Sequence, residues 1–241
     1  MGVLAVLAVA STLAGAPTLD RDRLPVLPER GLVRQTRAGV ELQTMRGRPL
    51  GVIRGLDLAP DMATSSDLLL RDRRGGLHVL DLRARRVRQI SAGPPRRRAC
   101  RVTDTHGQLE LVVCKATVKL RTSGKLRVVA RRPGRIGHWE RAAFAPASNT
   151  FFAQWSAECE VPVAFLVADG LMRPYGARTY RDAPSSMALG WLPNGRAVVH
   201  FPKAACGGSY RRAGIYAIPH SGKRTLLVPT PRFEHYWMWG G

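Results

Sequence analysis

The chain has 241 residues, 45% of them hydrophobic, with 38 Lys and Arg against 17 Asp and Glu, a formal net charge of +21. That length and apolar content give a full-sized packed core and exclude an intrinsically disordered chain. The charge places a positive field around the folded molecule, so anionic partners are expected, although arginine used simply as the solvent-facing residue of outer strands gives the same balance.

Residues 1–16 form an apolar run too short to span a bilayer comfortably, ending in Ala14-Gly15-Ala16, the small-x-small pattern of a signal peptidase site. We read them as a secretion signal, with an uncleaved anchor or a buried strand as the alternative, since no Lys or Arg precedes the run. No membrane span is expected once they are removed. Residues 17–30 carry Pro17, Pro25 and Pro28 and no sustained period, which predicts an extended leader. Residues 31–241 are then the folded domain.

From Gly31 onward the pattern is that of short strands and tight turns. Gly39–Met45 and Leu50–Arg54 flank a Gly-containing turn, and the same hairpin signal recurs at Leu77–Leu82 with Val87–Ile90 and at Ala116–Leu120 with Leu126–Ala130. Two more follow at Val163–Ala168, running into Asp169-Gly170, and at Gly214–Ile218 with Leu226–Val228. Ahead of four of these hairpins lies a second pair of strands: Gly55–Ala59 with Asp67–Leu70, Ala99–Thr103 with Leu109–Cys114, and two pairs that repeat one another. In that repeat Ala143-Phe-Ala-Pro146 lies over Gly190-Trp-Leu-Pro193, each followed by an apolar strand (Thr150–Trp155, Ala197–Phe201) and then a cysteine.

Four-stranded repeats of this length predict an all-β propeller of antiparallel blades. The first hairpin lacks an inner pair of its own. Leu32–Gln35 can supply one strand and the tail Phe233–Trp239 the innermost one, a terminal strand closure that gives five blades; six would need a further segment. The stretch Trp191-Leu-Pro-Asn-Gly-Arg-Ala-Val-Val199, with Ile215-Tyr-Ala-Ile218 and Ser221-Gly-Lys223, resembles the repeat of TolB-type, WD40-like β-propellers, closely over Gly190–Val228 and less so elsewhere. The resemblance implies a bacterial, exported propeller with a binding or scaffolding role and carries no common catalytic residues.

The four cysteines match no paired zinc-ligand spacing, and an even count in an exported chain predicts disulfides. Cys100 and Cys114 fall opposite each other across a hairpin centred on Gly107, while Cys159 and Cys206 hold the same loop position in consecutive repeats, so we expect Cys100–Cys114 and Cys159–Cys206.

Candidates for chemistry are sparse. Asp57, Asp104, Glu140 and Asp182 fall on or beside innermost strands, where two facing carboxylates could serve a carbohydrate-active hydrolase; ion pairs with neighbouring arginines and turn hydrogen bonds are the plainer reading. Trp155, Trp237 and Trp239 could line a binding surface or pack the core. The six histidines show no ligand spacing, and neither a metal nor a cofactor is expected. The basic clusters are dispersed over many blades, which fits a solvated rim better than a nucleic-acid groove. The expected function is therefore a non-enzymatic, monomeric binding module, secreted or periplasmic, whose partner is a protein or an anionic envelope polymer. The hydrolase is the alternative.

Overall fold

The computed structural model describes residues 16–59, 68–81, 84–90, 100–157, 162–183, 185–203, 213–221, 223–230 and 234–240. The secretion signal apart from Ala16, the arginines at 96–98 and 211–212, and the Cys159–Cys206 pair lie outside them.

The chain folds into five four-stranded antiparallel blades of a β-propeller. Blade 1 joins β1 (Gly31–Thr36), β2 (Gly39–Thr44) and β3 (Pro49–Arg54) to the carboxyl-terminal strand β20 (Tyr236–Trp239). Blade 2 comprises β4 (Leu56–Leu58), β5 (Leu68–Asp72), β6 (Leu77–Asp81) and β7 (Arg86–Ile90). Blade 3 comprises β8 (Cys100–His106), β9 (Leu109–Cys114), β10 (Thr117–Thr122) and β11 (Lys125–Arg131). Blade 4 runs through β12 (His138–Phe144), β13 (Phe151–Ser156), β14 (Pro162–Ala168) and β15 (Leu171–Pro174), and blade 5 through β16 (Met187–Trp191), β17 (Ala197–Phe201), β18 (Gly214–Ile218) and β19 (Thr225–Pro229). A single 3-10 turn at Tyr180–Asp182 is the helical structure among the described residues.

The turns follow from local chemistry. In the repeated corners, the amide of Ser148 donates to the Ala145 carbonyl and that of Gly195 to the Leu192 carbonyl, closing matching turns with Pro146 and Pro193 at the second position, where a fixed φ is already right. The β14–β15 hairpin turns on Asp169-Gly170, both with positive φ (51° and 76°), the conformation an Asp-Gly pair accepts at least cost. Cys100 and Cys114 are opposed in the β8–β9 register and joined as a disulfide with Cα atoms 4.1 Å apart.

Side chains alternate along each strand, so both faces of a blade are apolar and neighbouring blades pack face to face. Trp139, Trp155 and Phe165 of blade 4 meet Leu111, Val113 and Val118 of blade 3. The opposite face of blade 4, with Phe152 and Tyr175, meets Trp191, Val199 and Phe201 of blade 5. Leu189, Val198 and Ile215 of blade 5 meet Leu32 and Met238 of blade 1. Blade 1 in turn packs Val33, Leu42, Ile53 and Trp237 against Leu56, Leu70 and Leu80 of blade 2.

Residues 17–30 are docked against blades 1 and 2. Leu19 donates its amide to the Val52 carbonyl of β3, and Val52 donates back to Pro17. Further on, the Leu24 amide donates to the carbonyl of Arg85, Val87 of β7 donates to that of Arg21, and the Leu24 side chain, 2% exposed, enters the core between blades 1 and 2. The segment thus covers outer edges that would otherwise offer unpaired backbone groups.

Polar side chains also cross between blades at the innermost strands. Gln35 of blade 1 accepts from the amide of Leu58 on β4 (2.6 Å). Thr103 donates to the Ala142 carbonyl (2.7 Å), and Asp104 accepts from the Phe144 amide (2.8 Å), joining blade 3 to β12. Gln154 of blade 4, 3% exposed, donates to Ser186 and accepts from the amide of Ala188 on β16 (2.8 Å).

Two outcomes are expected. Gln154→Met keeps the volume but leaves a buried amide and a buried carbonyl without partners, which should cost about 2–4 kcal/mol in urea unfolding. His200 is fully buried on Tyr236, and burial, aided by the nearby His235, lowers its pKa to about 3 from the ordinary 6.5. The folded state therefore excludes a proton that the unfolded chain accepts, so stability present above pH 6.5 is lost as pH falls toward 3. Melting temperatures should drop across that window, and by much less in His200→Gln.

Candidate functional site

The innermost strands β20, β4, β8, β12 and β16 surround the inner opening of the propeller, and three of them are bulged. Register slips at Thr103 in β8, at Glu140 in β12 and at Leu189 in β16. A bulge inserts one residue and reverses the face on which the following side chains fall. On β12 this puts Trp139, Ala142 and Phe144 in the core shared with blade 3, and turns Arg141 toward the other face.

Arg141 is the chemically unusual group of the opening. Its guanidinium lies over the indole of Trp237 on β20, 4.1 Å from the ring centroid, and 5.3 Å from the ring of Phe152. Blade 5 separates blades 4 and 1 in the ring, so this contact ties two blades that are not neighbours. Burial, together with the repulsion of Arg101, pulls the Arg141 pKa down to about 10 against the attraction of Glu140, and the side chain remains a cation at neutral pH. Arg101 of β8 donates to the backbone carbonyl of Glu140. The inner opening is thus occupied by a cation on an aromatic face, an arrangement worth about 0.5–2 kcal/mol where desolvated.

A second arginine, half-buried, is held differently. Arg34 on β1 bonds Glu41 of β2 at 2.9 Å and reaches Glu234 at 3.4 Å, while the Tyr236 hydroxyl donates to Glu234 at 2.9 Å. Burial opposes its charge, but the hydrogen bond and charge of Glu41, with Glu234, hold its pKa above the usual arginine value.

The four carboxylates singled out in sequence are spread over separate settings. Asp57 on β4 accepts from the Gln35 amide group at 2.7 Å, and Asp104 caps the Phe144 amide. Glu140 is the bulged residue beside Arg141. Asp182 sits on the exposed 3-10 turn ahead of β16, where it accepts from the Thr179 hydroxyl. Among the described residues no group of three His, Cys, Asp or Glu is placed to hold a metal ion.

The three tryptophans fall inside the fold. Trp155 is fully buried and meets Trp139 edge-on at 5.1 Å between centroids. Trp237 carries Arg141, and Trp239 donates its indole N–H to the Pro28 carbonyl of the leader. Arg141 had no signal in the sequence as a special arginine, because the bulge that redirects it is not encoded by any local pattern.

No family model matches the sequence, and no curated protein matches it. Among solved structures, 28 chains match. One is "Dihydro-heme d1 dehydrogenase NirN in complex with DHE", 16% identical, aligned over 90% of this chain and 48% of that one, with a TM-score of 0.35. The chain thus spans about half the length of that protein.

The inner opening makes its own prediction. Arg141→Met should change unfolding free energy by no more than about 1 kcal/mol, since the lost contact with Trp237 is offset by the lost burial of charge. Arg141→Glu, which sets an anion on the same ring beside Glu140, should cost more than about 3 kcal/mol in the same denaturation assay.

Proposed function

We propose that the protein is a non-enzymatic β-propeller interaction module of the TolB-type, WD40-like kind, acting outside the cytoplasm by holding an anionic envelope polymer. The observation that carries this reading is the charge balance: with 38 cations and 17 carboxylates, 21 cations are left over even if every carboxylate pairs. Many of them stand at solvent on blades 2 and 3, among them Arg71, Arg74, Arg86 and Arg88, with Arg127 and Arg131 on β11. A surface of one sign concentrates a polyanion near it and lets many weak contacts act together.

Export is supported by the apolar run ending at Ala14-Gly15-Ala16 and by the Cys100–Cys114 disulfide, a bond that persists in oxidising compartments. Among the described residues no helix is long and apolar enough to cross a membrane. The contents of the inner opening fit a module better than a hydrolase: the guanidinium of Arg141 lies on Trp237 where facing carboxylates would work, and Asp57 and Asp104 are engaged in joining blades.

Heparin serves as a model polyanion for the test. Retention should be strong at about 50 mM salt and lost by about 500 mM, as expected for charges screened within a Debye length. The combined reversal Arg86→Glu, Arg88→Glu, Arg127→Glu and Arg131→Glu should release the protein at markedly lower salt. Retention that is indifferent to both salt and charge reversal would sink the proposal.

A further inference from the structure

A cleft of about 450 Å³ opens where blade 3 hands over to blade 4, between the β9–β10 turn and the segment that links β11 to β12. Three of the residues that line it are cations: Lys115 from the turn, and Arg132 and Arg135 from the link, with Ala116, Ile136 and Gly137 completing the walls. All three charged residues stand at solvent and Ile136 is 60% exposed, so these groups are open to an occupant. Among the described residues none of the three cations is paired with a carboxylate.

Backbone contacts fix both walls. The Arg132 amide donates to the Ala116 carbonyl at 2.9 Å and the Trp139 amide to that of Lys115 at 3.2 Å, so the turn is held from blade 3 and from blade 4 at once. The Cys100–Cys114 disulfide closes β8 on β9 one residue before Lys115. The link lies close against blade 4 at two glycines. A side chain at Gly134 would press on the Tyr180 ring, and one at Gly137, where φ is 122°, would meet Trp155 and the Ser156 carbonyl. Three like charges are thus carried into one concavity by anchored backbone, and an anion seated among them offsets their repulsion.

Charge and size narrow the occupant. Guanidinium groups match phosphate oxygens in pairs, and an ammonium adds a point charge. A carboxylate brings one charge and two oxygens to three cations, whereas a phosphate monoester brings about −1.5 to −2 and three oxygens. The volume lies within the roughly 300–1,000 Å³ of small-molecule sites, which leaves room beside the phosphate for a carbon skeleton against Ile136.

We propose that this cleft is a binding site for a phosphate ester of a small polyol, with Arg132, Arg135 and Lys115 on the phosphate and Ile136 on the carbon skeleton. The site deepens the polyanion reading and rests on it for the source of the ester, an internal repeat or an end group of an envelope polymer.

Titrating the full chain calorimetrically with glycerophosphoglycerol, a diester, and with sn-glycerol 3-phosphate, a monoester, tests this at about 50 mM salt. Saturable binding of at least one is expected; uptake of the diester identifies an internal repeat, and uptake of the monoester alone an end group. Arg132→Gln with Arg135→Gln should weaken binding at least about tenfold, through lost charge-assisted bonds, without lowering the melting temperature. Removing the same charge from the exposed β2–β3 turn, by Arg46→Gln with Arg48→Gln, should change it by less than about twofold. Ile136→Ser should bring ester affinity down to that of inorganic phosphate, which has no carbon skeleton to lose. Absence of saturable binding by both esters, or equal weakening by the two arginine pairs, would overturn the proposal. The heparin column keeps the two readings apart, since the Arg132 and Arg135 variant should still be retained at about 50 mM salt. A chain that heparin retains but that takes up neither ester overturns the cleft and leaves the surface reading standing; a chain that takes up an ester but that heparin does not retain does the reverse.

Discussion

The innermost strand of each blade is hydrogen-bonded to a sheet neighbour on one side only, and the rest of the architecture answers to that constraint. Backbone amides on the free side have no strand partner, and an amide left unpaired where the blades close on one another is costly. The preceding blade supplies the missing acceptors from side chains: Gln35 for Leu58, Asp104 for Phe144 and Gln154 for Ala188. Each such bond does two things at once. It satisfies an edge and fixes how far one blade is rotated against the next, which apolar packing alone, being non-directional, leaves loose.

Charge is handled by a similar division. Among the described residues most cations are kept at solvent, where their hydration is retained. Two half-buried arginines are stabilised in different ways, Arg34 by the carboxylates of Glu41 and Glu234 and Arg141 by the faces of Trp237 and Phe152. The first is a local matter within blade 1. The second links blade 4 to blade 1 and needs the slip at Glu140 to reach its aromatic partner.

The hairpins were legible in the sequence because their determinants are local: Asp169-Gly170, the turns at Pro146 and Pro193, and alternating apolar residues between them act over a few positions. The five-bladed count and the pairing of β20 with β1 follow from arithmetic on those hairpins, and the Cys100–Cys114 bond from its symmetric place about Gly107. What escaped was whatever depends on contacts between blades. Asp104 falls on an innermost strand in the sequence, but the amide it accepts from, that of Phe144 on β12, is brought beside it only by the folded ring. Leu24 lies in a proline-rich stretch with no period, so nothing marks it as core until the groove between blades 1 and 2 exists to receive it. Tyr175 follows a short outer strand and carries no sign of a hydroxyl left without a partner.

The composition of blade 1 has a consequence in time. Its strands β1, β2 and β3 are synthesised before those of any other blade, yet its innermost strand, Tyr236–Trp239, is made after all the other described strands. Until then β1 presents an open edge, and Leu32 and Val33, both fully buried in the finished fold, lack the Met238 and Trp237 that sit opposite them. The propeller is therefore a fold whose first-made blade is the last to be completed, and a nascent chain must reach almost its full described length before the ring can lock.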